Sequence, residues 1–201
     1  MSIYALKPRF QTLLRPLARG LAHAGVTANQ VTVAAAIVSV ALGVFVAARA
    51  PQRWPFLLIP LWMFVRMAFN AIDGMLAREF GQQSRLGAYL NELTDVASDA
   101  ALYLPFALVP PFSPLWTGIV IVLAVMSEFA GVLGPMVGAS RRYDGPMGKS
   151  DRAFVFGVLG LWIGLANTLP DWAAYVMPLL AAALAWTIAN RVQRGLGEVP
   201  R

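Results

Sequence analysis

Six stretches of about 20 apolar residues, roughly 31–49, 55–78, 87–109, 112–139, 153–169 and 172–190, fill most of this 201-residue chain. Twenty residues at 1.5 Å of rise span about 30 Å, the thickness of a bilayer's hydrocarbon core. Backbone placed in lipid must satisfy its own hydrogen bonds, so the segments predict helices. The expected fold is therefore all-α: an integral membrane bundle of six transmembrane helices over residues 28–201. With 58% hydrophobic and only 13% charged residues, the chain departs from the soluble norm of about 25% charged. Turn chemistry separates the segments: Ala50-Pro51, Pro110-Pro111 with Ser113-Pro114, Asn167 with Pro170-Asp171, and a polar loop from Ser140 to Asp151. Cysteine is absent and His23 is the one histidine, which excludes disulfides, thiol catalysis and Cys/His zinc sites. Any metal would have to take oxygen ligands.

Short cytoplasmic loops collect Lys and Arg, so the cations test the topology. Lys7, Arg9, Arg15, Arg19, Arg78, Arg85, Arg141, Arg142, Lys149, Arg152, Arg191, Arg194 and Arg201 fall on one side. Only Arg49 and Arg53 fall on the other, and Arg66 lies within a span. Both termini are thereby assigned to the cytoplasm. The net charge of +6 follows from this orientation against an anionic leaflet, and nucleic acid is not an expected partner. In residues 1–27, Ile3, Leu6, Phe10, Leu13, Leu14, Leu17 and Leu21 recur at helical spacing, with Lys7, Gln11, Arg15 and Arg19 off the stripe. This pattern predicts an amphipathic helix lying on the cytoplasmic leaflet.

Asp73, Glu92, Asp95, Asp99 and Glu128 fall inside the predicted spans, together with Arg66, Asn70 and Asn91. An ionisable group costs about 2.5–3.5 kcal/mol at a helix centre on insertion scales, so five carboxylates require specific compensation. Span two ends near Arg78, which puts Asp73 and Asn70 about 7.5 and 12 Å deeper. Span three starts near Gly87 and runs outward, with Asn91, Asp95 and Asp99 about 6, 12 and 18 Å in. Asn70 and Asp73 share one helix face, and Asn91 and Asp95 share another. Aimed at each other across the short turn from Glu79 to Leu86, these faces form an oxygen cage suited to Mg²⁺, Mn²⁺ or Ca²⁺. Gly74 and Gly87 permit close approach of a ligand or of a second helix. Arg78 suits a phosphate, or alternatively anchors the membrane edge. Glu92 is expected to be an interhelical partner, with Arg66 the candidate.

The run Asn70, Asp73-Gly74, Ala77-Arg78, Gly87, Asn91, Asp95 resembles the signature of the CDP-alcohol phosphotransferases, also called CDP-alcohol phosphatidyltransferases. Its spacing matches throughout, but asparagine stands at Asn70 and Asn91 where the family carries aspartate. Members are also similar in having an amphipathic N-terminal helix followed by six spans. Gly25 to Thr32 is similar to the segment that leads into the family's first span, and Asn29 and Thr32 are assigned from it to the substrate site. The resemblance implies that Asn70, Asp73, Asn91 and Asp95 hold one or two divalent cations. It gives Gly74, Ala77, Arg78 and Gly87 to the CDP moiety and the role of base to Asp95. Asparagine offers only a neutral oxygen, so the cation is expected to be held more weakly and one-metal chemistry becomes available. Asp99, one turn beyond Asp95, is a candidate to supply a missing carboxylate as ligand or base.

The implied reaction moves a phosphatidyl group from CDP-diacylglycerol to an alcohol in phospholipid biosynthesis, releasing CMP. Arg141, Arg142, Lys149 and Arg152 either bind a phosphorylated acceptor such as glycerol 3-phosphate or simply obey the positive-inside rule. Ser127 and Glu128 either line an acceptor pocket or bond between helices. The resemblance further implies a homodimer in a bacterial inner membrane with a cytoplasmic active site. The rival readings are a catalytically weakened homologue that binds CDP-lipid or scaffolds lipid enzymes, and a cation or solute transporter. A transport path would reach both faces, whereas these acids gather near one.

Overall fold

The structure, a computed structural model, describes residues 6–166 and 168–199, with side chains from Phe10 onward. Ile3, Asn167 and Arg201, and the side chains of Leu6, Lys7 and Arg9, lie outside the described residues. Seven α-helices follow in order: α1 (Leu6–His23), α2 (Ala28–Ala48), α3 (Leu58–Glu79), α4 (Arg85–Tyr103), α5 (Pro114–Leu133), α6 (Lys149–Leu165) and α7 (Val176–Glu198). Short 3₁₀ turns extend α3, α4, α5 and α7, and no strand occurs among the described residues.

Every expected span becomes a helix, but among the described residues only four are long and apolar enough to cross a membrane: Ala28–Ala48, Trp54–Glu79, Pro114–Val137 and Asp171–Glu198. The other two differ for identifiable reasons. Helix α4 carries Glu92, Asp95 and Asp99 along its length, and α6 has 17 residues with Lys149, Asp151 and Arg152 in its first turn. With four strongly apolar helices, the chain is an integral membrane protein.

Helix α2 packs on both α3 and α4, α5 packs on α7, and α6 packs on α3; α3 and α4, expected to face each other directly, meet mainly through long side chains because α2 lies against both. At the α2–α4 crossing, a Cβ on Gly43 would overlap the Ala101 carbonyl, so only glycine permits the approach. The main core centres on aromatics: Tyr103 stacks on Phe156 at 3.7 Å, and Phe106 meets Phe156 edge-on at 5.0 Å. A second cluster, with Ala18, Ala28, Val31, Ile72, Met75 and Leu76 at its centre, joins α1 to α2 and α3. Leu14 and Leu21 of the N-terminal stripe pack against it, while Leu13 and Leu17 stay exposed. Arg15 donates two hydrogen bonds to Glu79, at 3.0 and 3.1 Å, tying α1 to the end of α3. That carboxylate holds the Arg15 guanidinium above its ordinary pKa, chiefly through the hydrogen bonds.

Candidate active site

Three helix ends meet around the signature residues, and local chain chemistry sets each of them. Thr27 caps α2: its hydroxyl accepts from the Gln30 amide at 3.2 Å, and the Gln30 side chain accepts from the Thr27 amide at 2.8 Å. Ser84 caps α4 by accepting from the Gly87 amide at 2.9 Å. Between α3 and α4, Gln82 accepts from the Ala28 amide at 2.7 Å and donates to the Val26 carbonyl at 3.3 Å. The α3–α4 turn is thereby pinned to the start of α2.

This arrangement brings expected site residues together in pairs. The Thr32 hydroxyl donates to the Asp73 carboxylate at 2.7 Å. A Cβ on Gly87 would lie 2.8 Å from the Asn29 amide oxygen, so a side chain there would displace the tip of Asn29. A Cβ on Gly74 would lie 2.7 Å from Nη2 of Arg78, whose guanidinium therefore folds back over the glycine. Arg78 itself is exposed and makes no salt bridge among the described residues. Ala77 packs against the cluster under α1. Asn70 and Asn91 make no side-chain hydrogen bond among the described residues, which leaves their amide oxygens free. Asp73 carries no salt bridge among the described residues, yet it lies within electrostatic reach of Asp95 and Lys149.

Deeper in the bundle, a continuous ionic chain links five helices. Arg66 of α3 donates to Asp95 at 3.0 Å and to Asp99 at 2.6 Å. The second oxygen of Asp95 accepts from Lys149 of α6. The second oxygen of Asp99 accepts from Arg152 at 3.1 Å. Arg152 also donates to Glu128 at 2.9 Å and to the Ser127 hydroxyl at 3.2 Å. Arg191 of α7 closes the chain, 3.6 Å from Glu128 and donating to the Ser127 carbonyl. Arg66, Arg152 and Arg191 are all buried, at 5%, 1% and 2% exposure, so each charge depends on these partners.

Several expectations change here. Glu92 does not meet Arg66; it pairs with Arg141, which donates at 2.8 Å through Nη2. The reason is depth: seven residues before Asp99 and on much the same face, Glu92 lies about 10 Å nearer the start of α4, where it meets the loop before α6. Asp99 has both oxygens on guanidiniums and works as an ionic hub between α3, α4 and α6. Ser127 and Glu128 bond between helices; the adjoining cavity, lined by Asp99, Tyr103, Glu128 and Arg152 among others, is about 10 Å³, the size of one water rather than an alcohol. Arg142 is held by Asp144 at 2.8 Å and also bonds to Glu198. No three His, Cys, Asp or Glu residues converge on a metal position among the described residues. Sequence reasoning missed Arg191, which it counted only as a cytoplasmic cation. A stripe of Thr187, Arg191 and Gly195 at i, i+4 spacing on α7 was the available signal.

Comparison with known proteins decides the family. The sequence model for CDP-alcohol phosphatidyltransferase matches residues 25–189. The chain belongs to that family. It is 44% identical over 191 residues to the inner membrane protein YnbA of Escherichia coli, covering 95% of this chain and 94% of that one. It is 27% identical over 193 residues to a phosphatidylinositol phosphate synthase of Cutibacterium acnes, covering 90% of each. Among solved structures, the Mycobacterium tuberculosis phosphatidylinositol phosphate synthase with CDP-DAG bound is similar with a TM-score of 0.75 and 25% identity, over 92% of this chain and 96% of that one. The same enzyme in complex with manganese and citrate gives a TM-score of 0.74 at 24% identity, over 92% of this chain and 91% of that one. This protein is accordingly a transferase whose chemistry is CDP-alcohol phosphatidyl transfer.

Proposed function

We propose that the enzyme transfers the phosphatidyl group of CDP-diacylglycerol to a hydroxyl acceptor and releases CMP. The observation that carries this reading is the meeting of Asn29, Thr32, Asp73, Gly74, Arg78 and Gly87 from three helices at one end of the bundle. Asp73, Asn70 and Asn91 would hold Mg²⁺ or Mn²⁺, while Asp95, whose two oxygens accept from Arg66 and Lys149, stands beside them as the base. The donor set fits a hard cation: all are oxygens, the two amide oxygens have no competing donor, and Asp73 has no cation on it. When bound, such a cation neutralises the diphosphate.

The chain's own residues do the remaining work. Gly74 and Gly87 admit the nucleotide to the backbone, and Arg78 is free to engage a phosphate oxygen. Thr32 fixes the Asp73 carboxylate. Asp95, oriented by Arg66 and Lys149, takes the proton of the acceptor hydroxyl. As the new O–P bond forms, the P–O bond to CMP breaks. A phosphorylated polyol such as glycerol 3-phosphate is the proposed acceptor, because Arg141, paired with Glu92, and Arg142, paired with Asp144, can exchange carboxylate for phosphate on the side of the bundle where Lys149 and Arg152 hold Asp95 and Asp99.

We also assign all six helices of residues 28–201 to the inner membrane, with α4 and α6 shielding their charges inside the bundle. Helix α1 lies on the cytoplasmic leaflet, termini and site face the cytoplasm, and two copies form a homodimer. The test is purified protein in nanodiscs with CDP-diacylglycerol, Mg²⁺ or Mn²⁺, and alcohols with and without phosphate. A phosphatidylated product with equimolar CMP is expected. CDP-diacylglycerol binding without CMP from any acceptor would overturn the proposal in favour of a binding protein.

A further inference from the structure

Lys149 stands where local helix energetics do not favour it. It is the first residue of α6, at the helix end whose dipole repels cations. The turn around it is well made: the Gly148 amide donates to Asp151 at 3.0 Å and the Arg152 amide donates to the Gly148 carbonyl at 3.0 Å. Its ammonium reaches across to α4 and donates to Oδ2 of Asp95, while Arg66 holds Oδ1 at 3.0 Å. It is one-third exposed, beside a carboxylate of the proposed cation site rather than out in solvent. Its charge also reaches Asp73 and Asp99.

Charge accounting gives this placement a meaning. The signature has four aspartate positions, and this chain fills two of them with Asn70 and Asn91. Two neutral amides remove two negative charges, the charge of one divalent cation. Of the two carboxylates left, Asp95 already has both oxygens on protein cations, and only Asp73 is without one. Coordination by a divalent ion depends on ligand charge as well as on ligand number.

From this we infer that the site takes a single divalent cation, centred on Asp73, and that the Lys149 ammonium serves Asp95 as a built-in second cation. The inference rests on the proposed function, since it concerns the cation site of that reaction. Lys149 acts here as a positioning residue: it fixes Asp95 and keeps a mobile ion from it.

Mn²⁺ titration of the full chain in nanodiscs containing CDP-diacylglycerol, followed by the loss of the free Mn²⁺ electron paramagnetic resonance signal, tests this without relying on turnover. Wild type is expected to bind one Mn²⁺ per chain. Lys149→Gln frees an oxygen of Asp95 and is expected to bind Mn²⁺ about tenfold more tightly. Lys149→Arg keeps the charge and is expected to stay near wild type. Asn91→Asp combined with Lys149→Gln restores one carboxylate, frees another, and is expected to bind two ions. Two ions per wild-type chain, or unchanged Mn²⁺ affinity in a monodisperse Lys149→Gln protein, would overturn the inference and leave the proposed function standing. No Mn²⁺ bound by wild type would overturn the cation site itself. The wild-type stoichiometry needs no variant to fold, so it decides the matter even if a substitution destabilises the bundle.

Discussion

Replacing Asp99 with asparagine removes a negative charge that two buried guanidiniums share. Arg66 lies 2.6 Å from one oxygen and Arg152 3.1 Å from the other, and the residue is only 6% exposed. At an effective dielectric constant of 20, each contact is a Coulomb interaction of about 5–6 kcal/mol, much of which repays desolvation. Breaking such a buried pair by removing one partner typically costs about 3–5 kcal/mol. The low end applies, because Arg66 keeps Asp95 and Arg152 keeps Glu128. A loss of about 3 kcal/mol in a domain of this size lowers the melting temperature by about 6–12 °C. Differential scanning fluorimetry of wild type and Asp99→Asn in one detergent, with and without Mn²⁺, measures this. The expected result is a lower melting temperature with the Mn²⁺-induced rise intact. A melting temperature within about 2 °C of wild type, with the Mn²⁺ response lost, would show that Asp99 is a cation ligand and refute its role as an ionic hub.

Three further perturbations probe other parts of the account. Gly74→Ala puts a methyl group 2.7 Å from the mobile tip of Arg78, so the protein should melt like wild type while the KM for CDP-diacylglycerol rises about tenfold. Asp73→Asn removes the one site carboxylate without a cation, and CMP release should fall by about 100-fold or more with the melting temperature retained. Gly145 has φ of +113° and a Cβ there would lie 2.7 Å from the Thr187 Cα, so Gly145→Ala should cost about 1–3 kcal/mol on thermal unfolding.

Much of the helix layout was legible because segment length and hydropathy respond to the bilayer directly. Helices form at all six expected positions, and the signature spacing put Gly74 and Arg78 together because residues four apart differ by only about 40° around one helix. The ionic partners were not legible in the same way. Lys149 meets Asp95 across 54 positions and Arg141 meets Glu92 across 49, so the pairing depends on how each helix is rotated about its axis. Hydropathy leaves that rotation open, and several cations of equal charge competed for each carboxylate. Glu92 and Asp95 are only three residues apart, yet one faces the loop before α6 and the other faces Arg66. Arg191 escaped notice because a cation near a helix end satisfies the positive-inside rule whether it points outward or, as here, into the bundle.

The account depends most on oxygens from α3 and α4 gripping a hard cation at the donor's diphosphate. Anomalous diffraction from crystals grown with Mn²⁺ and CDP-diacylglycerol measures this directly. The account predicts a peak within about 2.0–2.6 Å of an Asp73 carboxylate oxygen, with the Asn70 or Asn91 amide oxygen also in the coordination shell. A peak out of reach of Asp73, or one seated between Asp99 and Glu128, would contradict it.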